Sequence, residues 1–194
     1  MDQLIRESLK HSIAAKEALV ATQMAAIKQL AQAMIDTIKR GNKLMIFGNG
    51  GSAADAQHMA AEFVNRFMID RPPLAAIALT TDSSILTSVG NDFSFDDIFV
   101  KQIQALGKEG DLALGISTSG NSPNVIKAVE VAKGLGICSA TPITEDHQLV
   151  APFNGIDHPS GQLFDGAPLG GDQRLFCGDG VFQAVVNKMI HGFL

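Results

Sequence analysis

Apolar residues recur at spacings of three and four through residues 3–40: Leu4, Ile5, Leu9 and Ile13, then Met24, Ile27, Leu30, Met34, Ile35 and Ile38. That period is helical, and Gly41 stands where a helix-terminating glycine belongs. Two helices broken near Ala21-Thr22, or one long helix, fit equally well. From Lys43 the pattern changes to short apolar runs alternating with helical stretches. Strands are predicted at Leu44–Phe47, Leu74–Leu79, Asp111–Ile116 and Gly136–Ala140. Helices are predicted over Ala53–Phe67, from the Thr81-Asp82-Ser83-Ser84 start, over Asp96–Leu106, and from Pro123 to about Gly134. Buried strands alternating with helices imply an α/β fold, a parallel sheet covered on both faces.

Beyond Ala140 the periodicity weakens. Residues 142–180 hold four of the seven prolines, and no Lys or Arg occurs between Lys133 and Arg174. This stretch is expected to be mostly irregular, with one short strand near Gln162-Leu163-Phe164. A helical pattern returns from Val181 to Ile190. No internal repeat is evident, and residues 1–194 are read as one domain.

Composition narrows the class. With 46% hydrophobic residues the chain can fill a core, and its net charge of −5 argues against direct nucleic-acid binding as its main work. Two cysteines, Cys138 and Cys177, suit a reducing compartment. No apolar run is long enough for a membrane span, and Met1-Asp2-Gln3-Leu4 carries no basic leader. A cytoplasmic setting is the expectation.

Candidate chemistry sits where strands give way to helices. Gly48-Asn49-Gly50-Gly51-Ser52 joins a strand to a helix, and its glycines let backbone approach a ligand at the helix N-terminus. The segment is neither a Walker loop nor a dinucleotide fingerprint. Ser117-Thr118-Ser119-Gly120-Asn121-Ser122 follows a second strand and offers four hydroxyls. One such turn reads as ordinary helix capping. Two of them at the carboxyl ends of parallel strands point to a phosphorylated ligand.

His58 and Glu62 lie one turn apart on one helix face, a spacing that suits either a shared metal or a plain surface pair. Gln183 and His191, eight residues apart, also share a face roughly. Asn91-Asp92 is expected in a loop after Gly90, where either function or common turn chemistry fits. Cys138 reads as a buried strand residue, and nothing marks Cys177 as a nucleophile.

Taken together, these segments, with Asn65-Arg66-Phe67, Ala76-Ile77-Ala78-Leu79 and Gly90-Asn91-Asp92, resemble the sedoheptulose-7-phosphate (phosphoheptose) isomerases of the SIS, or sugar isomerase, domain superfamily. The likeness is continuous to about Gly136, roughly 70% of the chain. It implies a three-layer sandwich with a five-stranded parallel sheet flanked by helices. It also implies a homotetramer with active sites at subunit contacts and N-terminal helices that mediate assembly.

The implied reaction converts sedoheptulose 7-phosphate to D-glycero-D-manno-heptose 7-phosphate, toward the lipopolysaccharide core. One zinc ion per subunit would be bound by His58, Glu62, Gln183 and His191, with Glu62 and His191 as the acid/base pair. The sugar phosphate would be contacted by Asn49, Gly50, Gly51, Ser52, Glu62, Asn91, Asp92, Ser117, Thr118, Ser119, Ser122 and Gln183.

Residues 138–180 depart from the family pattern. In the last helix Val181, Ala184 and Val186 stand where family members usually carry Arg, Glu and His. A divergent branch or an altered reading of the gene would each produce this. A second reading, a non-catalytic SIS tetramer that binds the replication initiator, is opposed by Glu62, because that relative lacks the carboxylate.

Overall fold

The computed structural model of the chain describes residues 1–66, 70–142 and 149–150. Two N-terminal helices, α1 (Asp2–Thr22) and α2 (Met24–Lys39), meet at Gln23, so the break falls beside Ala21-Thr22 as two helices require. Arg40 closes α2 and Gly41 follows at φ +80°, left-handed backbone that a Cβ would disfavour. Then come β1 (Leu44–Gly48), α3 (Gly51–Val64), β2 (Ala76–Ala78), α4 (Ser83–Asp92), a 3-10 turn (Phe95–Asp97) and α5 (Val100–Leu106). The chain continues through β3 (Leu112–Ile116), α6 (Pro123–Gly134), β4 (Cys138–Pro142) and the two-residue β5 (Leu149–Val150).

Strand order is β2-β1-β3-β4-β5. The first four strands are parallel, with Leu44 opposite both Ala76 and Leu112, and Leu112 opposite Cys138. β5 pairs antiparallel to β4. The expected five-stranded parallel sheet is therefore corrected to four parallel strands with an antiparallel edge. The reason is chain length. Six residues separate β4 from β5, whereas a parallel return needs a crossover of about a dozen or more.

Side chains alternate across the sheet, as strand geometry demands. Leu44, Ile46, Leu112 and Leu114 pack with Leu30, Met34, Met59 and Phe63 of α2 and α3. Met45, Phe47 and Ala113 face the other way, onto Val100 and Ile103 of α5 and Val125, Ala128 and Val129 of α6. This is the predicted three-layer arrangement. α1 differs: its Leu4, Ile5, Leu9, Ile13 and Val20 are all exposed.

α3 and β4 are shifted by two or three residues from the expected Ala53–Phe67 and Gly136–Ala140, and three other elements differ in kind. β2 is confined to Ala76–Ala78 where Leu74–Leu79 was expected, because the Leu74 N–H donates to the Phe63 carbonyl of α3 at 3.0 Å rather than to a neighbouring strand. The expected Asp96–Leu106 helix divides into the 3-10 turn and α5, since the Ser94 side chain accepts from the Asp96 N–H and tightens the first turn. Asn91-Asp92, expected in a loop, forms the last turn of α4. The Asp82 side chain caps that helix through the Ile85 N–H, and the helix runs on through Gly90 to Asp92. The predicted strand at Gln162-Leu163-Phe164 and the helix over Val181–Ile190 lie outside the described residues.

Candidate active site

After β1 the chain turns to β2 on one side, then crosses to β3 on the other. The carboxyl ends of β1 and β3 therefore flank the point where strand order reverses, the usual ligand crevice of an open α/β sheet. The two loops singled out by sequence leave from these ends.

Gly48 ends β1 under tight constraint. A Cβ there would lie 2.6 Å from the Ile116 backbone oxygen and 2.8 Å from Ser52 Cβ. Gly50 caps α3 with φ +55°, which lets the chain reverse directly into the helix. The N–H groups of the first helical residues have no intrahelical partner, so Gly51 and the buried Ser52 bring donors and the positive end of the helix dipole to the crevice.

The second loop is built differently. Ser122 stands at the N-cap of α6, but its side chain does not cap the helix. Its hydroxyl instead meets that of the buried Ser117 at 3.1 Å. The capping explanation for this serine thus fails, and the two hydroxyls line one side of the turn. Ser119 Oγ accepts from the Asn121 N–H at 3.2 Å, and Gly120 has φ +67°. Pro123 opens α6 where its missing N–H costs least.

The loops are joined by side chains. Asn49 Nδ2 donates to Asn124 Oδ1 at 2.8 Å, and Asn124 Nδ2 donates back to Asn49 Oδ1 at 2.9 Å. Asn124 is buried in the first turn of α6. Sequence reasoning missed it. Its only signal is a carboxamide at a helix start facing an Asn-bearing loop on the neighbouring strand.

His58 and Glu62 lie on α3, one turn apart, with Nε2 and Oε1 separated by 3.4 Å. The His58 side chain is 54% exposed and Glu62 24%. An imidazole nitrogen and a carboxylate oxygen are a donor set that zinc accepts, so this pair fits half of a tetrahedral site. Among the described residues, no three His, Cys, Asp or Glu side chains gather into a cluster. Gln183 and His191, the other two expected ligands, lie outside the described residues.

Arg71, also missed, braces the end of α3. Its guanidinium donates to the Glu62 carbonyl at 2.6 Å and the Phe63 carbonyl at 2.9 Å, two groups a helix end leaves needing partners. Burial lowers the Arg71 pKa, and the Glu62 charge opposes that shift. Asn91 and Asp92 are exposed at the end of α4, where Asn91 Nδ2 donates to Asp92 Oδ1 at 2.8 Å. Cys138 is buried in β4 as expected; burial pushes its thiol up to about 11 against the pull of Arg40, which disfavours the thiolate. No helix among the described residues is long and apolar enough to cross a membrane.

Residues 9–138 match the SIS domain family. The chain is 64% identical over 109 residues to the phosphoheptose isomerase of Nitratidesulfovibrio vulgaris, a match covering 56% of this chain and 52% of that protein. It is 52% identical over 139 residues to the phosphoheptose isomerase of Aneurinibacillus thermoaerophilus, covering 71% of this chain and 70% of the relative. The chain thus spans about half the length of the first of these relatives and more of the second. The solved phosphoheptose isomerase of Neisseria gonorrhoeae superposes with a TM-score of 0.72 at 34% identity, over 98% of this chain and 95% of that one. Sequence and architecture agree: the chain belongs to the SIS domain family, alongside its phosphoheptose isomerases.

Proposed function

We propose that this chain is an aldose–ketose isomerase that converts sedoheptulose 7-phosphate to D-glycero-D-manno-heptose 7-phosphate through an enediol, the step that leads toward ADP-heptose and the lipopolysaccharide core. The observation that carries the reading is the pair of loops at the carboxyl ends of β1 and β3, tied by Asn49 and Asn124, with Glu62 on the helix that leaves the first loop. In this reading the backbone N–H groups of Gly50, Gly51 and Ser52 and the hydroxyls of Ser117, Thr118, Ser119 and Ser122 hold the phosphate and sugar. Asn49, Asn91, Asp92 and Gln183 orient the open chain.

Glu62 and His191 then move a proton between C1 and C2, the work for which a carboxylate and an imidazole are suited. His58, Glu62, Gln183 and His191 would hold a zinc ion, one per subunit. When bound, it would supply Lewis acidity that lowers the cost of negative charge on the sugar's carbonyl and hydroxyl oxygens. The exposed apolar face of α1 supports a homotetramer, because a soluble monomer rarely leaves such a surface bare.

The test is incubation of the intact protein with sedoheptulose 7-phosphate, with and without a chelator, followed by NMR of the sugar. Conversion that the chelator abolishes is expected. Glu62→Gln should lose turnover by at least about a hundredfold while keeping its circular dichroism and assembly state. Wild-type turnover by that variant removes Glu62 from the reaction. Absence of conversion with zinc supplied favours a non-catalytic, partner-binding SIS protein instead.

A further inference from the structure

The reciprocal carboxamide pair does more than join two loops. An asparagine side chain has two donor hydrogens and one acceptor oxygen. Asn49 and Asn124 each spend the oxygen and one hydrogen on the other, at 2.8 and 2.9 Å. That two-bond ring fixes both side-chain rotamers together and leaves one Nδ2 hydrogen of Asn49 outside the pair.

Asn124 is 2% exposed, so a broken ring would strand a buried carboxamide, whereas the partly exposed Asn49 sits in the loop itself. In the first turn of a helix an asparagine ordinarily serves the local backbone. Here it reaches across to a residue 75 positions away. The two loops leave adjacent strands, β1 and β3, whose register runs from Leu44↔Leu112 to Gly48↔Ile116. The sheet fixes the loops' roots, and the carboxamide ring fixes them again beyond the strand ends.

We propose that Asn124 is a positioning residue for the sugar-phosphate site: through Asn49 it locks the first loop to the start of α6, so that both loops form one preorganised anion cradle. The inference rests on the isomerase reading for its substrate, but its physical content is anion binding. Asn124 itself touches no ligand. Its contribution is to spare the ligand the cost of ordering the first loop.

The test titrates the intact chain with inorganic phosphate by calorimetry and separately measures turnover of sedoheptulose 7-phosphate. The proteins compared are wild type, Asn124→Ala, Asn49→Ala and the double variant. Asn124→Ala should weaken phosphate binding about tenfold and raise KM by a similar factor while kcat changes less than about twofold. The double variant should bind no more weakly than the weaker single variant, because both singles destroy the same ring.

Unchanged phosphate affinity in Asn124→Ala overturns the proposal, as do fully additive single effects or a wild-type chain that binds no phosphate. A chain that shows the coupling but converts no sugar overturns the isomerase reading and leaves Asn124 in its role. If Asn124→Ala does not fold, the wild-type side-chain amide resonances decide. One Asn49 Nδ2 proton should exchange measurably more slowly than the other, and equally fast exchange of both overturns the proposal.

Discussion

Asp111 shows how one residue ties pH to the stability of the fold. It is buried just before β3, where its carboxylate accepts from the Lys43 side chain, from the Lys43 N–H at 3.0 Å and from the Lys108 N–H at 2.8 Å. Burial alone would raise its pKa, but these bonds and the Lys43 charge outweigh that and hold it below the ordinary value of 3.8. A carboxylate depressed in the folded state stabilises the fold above its unfolded pKa, and the contribution fades as pH falls through the folded value. Asp111→Asn should therefore cost about 2 kcal/mol at neutral pH in urea denaturation. The gap from wild type should narrow as pH falls below 3.8, and a gap constant from neutral pH to strong acid would contradict the assignment. At this scale, legibility follows sequence distance. His58 and Glu62 could be paired from the sequence because one helical turn brings them together. Asn124 could not, since its partner lies in another loop, and Arg71 could not because it braces carbonyls rather than side chains.

Elements were legible where burial dictates them. Leu44–Phe47 and Asp111–Ile116 are apolar runs of strand length, and they form β1 and β3 nearly as read because both faces of the sheet are covered. Errors fell where no such pressure acts: at the edge strand β2, at the 3-10 turn ahead of α5, and in the last turn of α4. β5 was not read at all: its two residues, Leu149–Val150, fall in the stretch expected to be irregular, and so short a strand leaves no periodicity to read. Gly48 tests how the elements meet. Its missing Cβ lets β1 pass beneath the first turn of α3 and beside the Ile116 carbonyl. Backbone stands in the way, not the tip of a flexible chain, so Gly48→Ala must push β1, β3 or α3 apart. We expect a loss of roughly 1–3 kcal/mol in chemical denaturation. Phosphate binding should weaken with it, and an unchanged midpoint with unchanged binding would show that the contact relaxes at no cost.

At the scale of the whole molecule the two N-terminal helices divide their labour. α2 buries Ile27, Leu30, Met34 and Ile35 against the sheet and belongs to the core. Deleting residues 1–40 would therefore unfold the protein rather than only disperse it. Deleting residues 1–22 is the informative cut: light scattering should then report a monomer at micromolar concentration in place of the proposed tetramer, with the α/β body still folded by circular dichroism. An intact protein already monomeric at that concentration contradicts assembly through α1. The apolar stripe of α1 has a thermodynamic corollary. If that helix finds its cover only on neighbouring copies, its contribution to stability is set by mass action. Dilution then acts as a denaturant: the melting temperature of the intact chain should climb as protein concentration is raised, while the chain lacking residues 1–22 should melt at one temperature whatever its concentration.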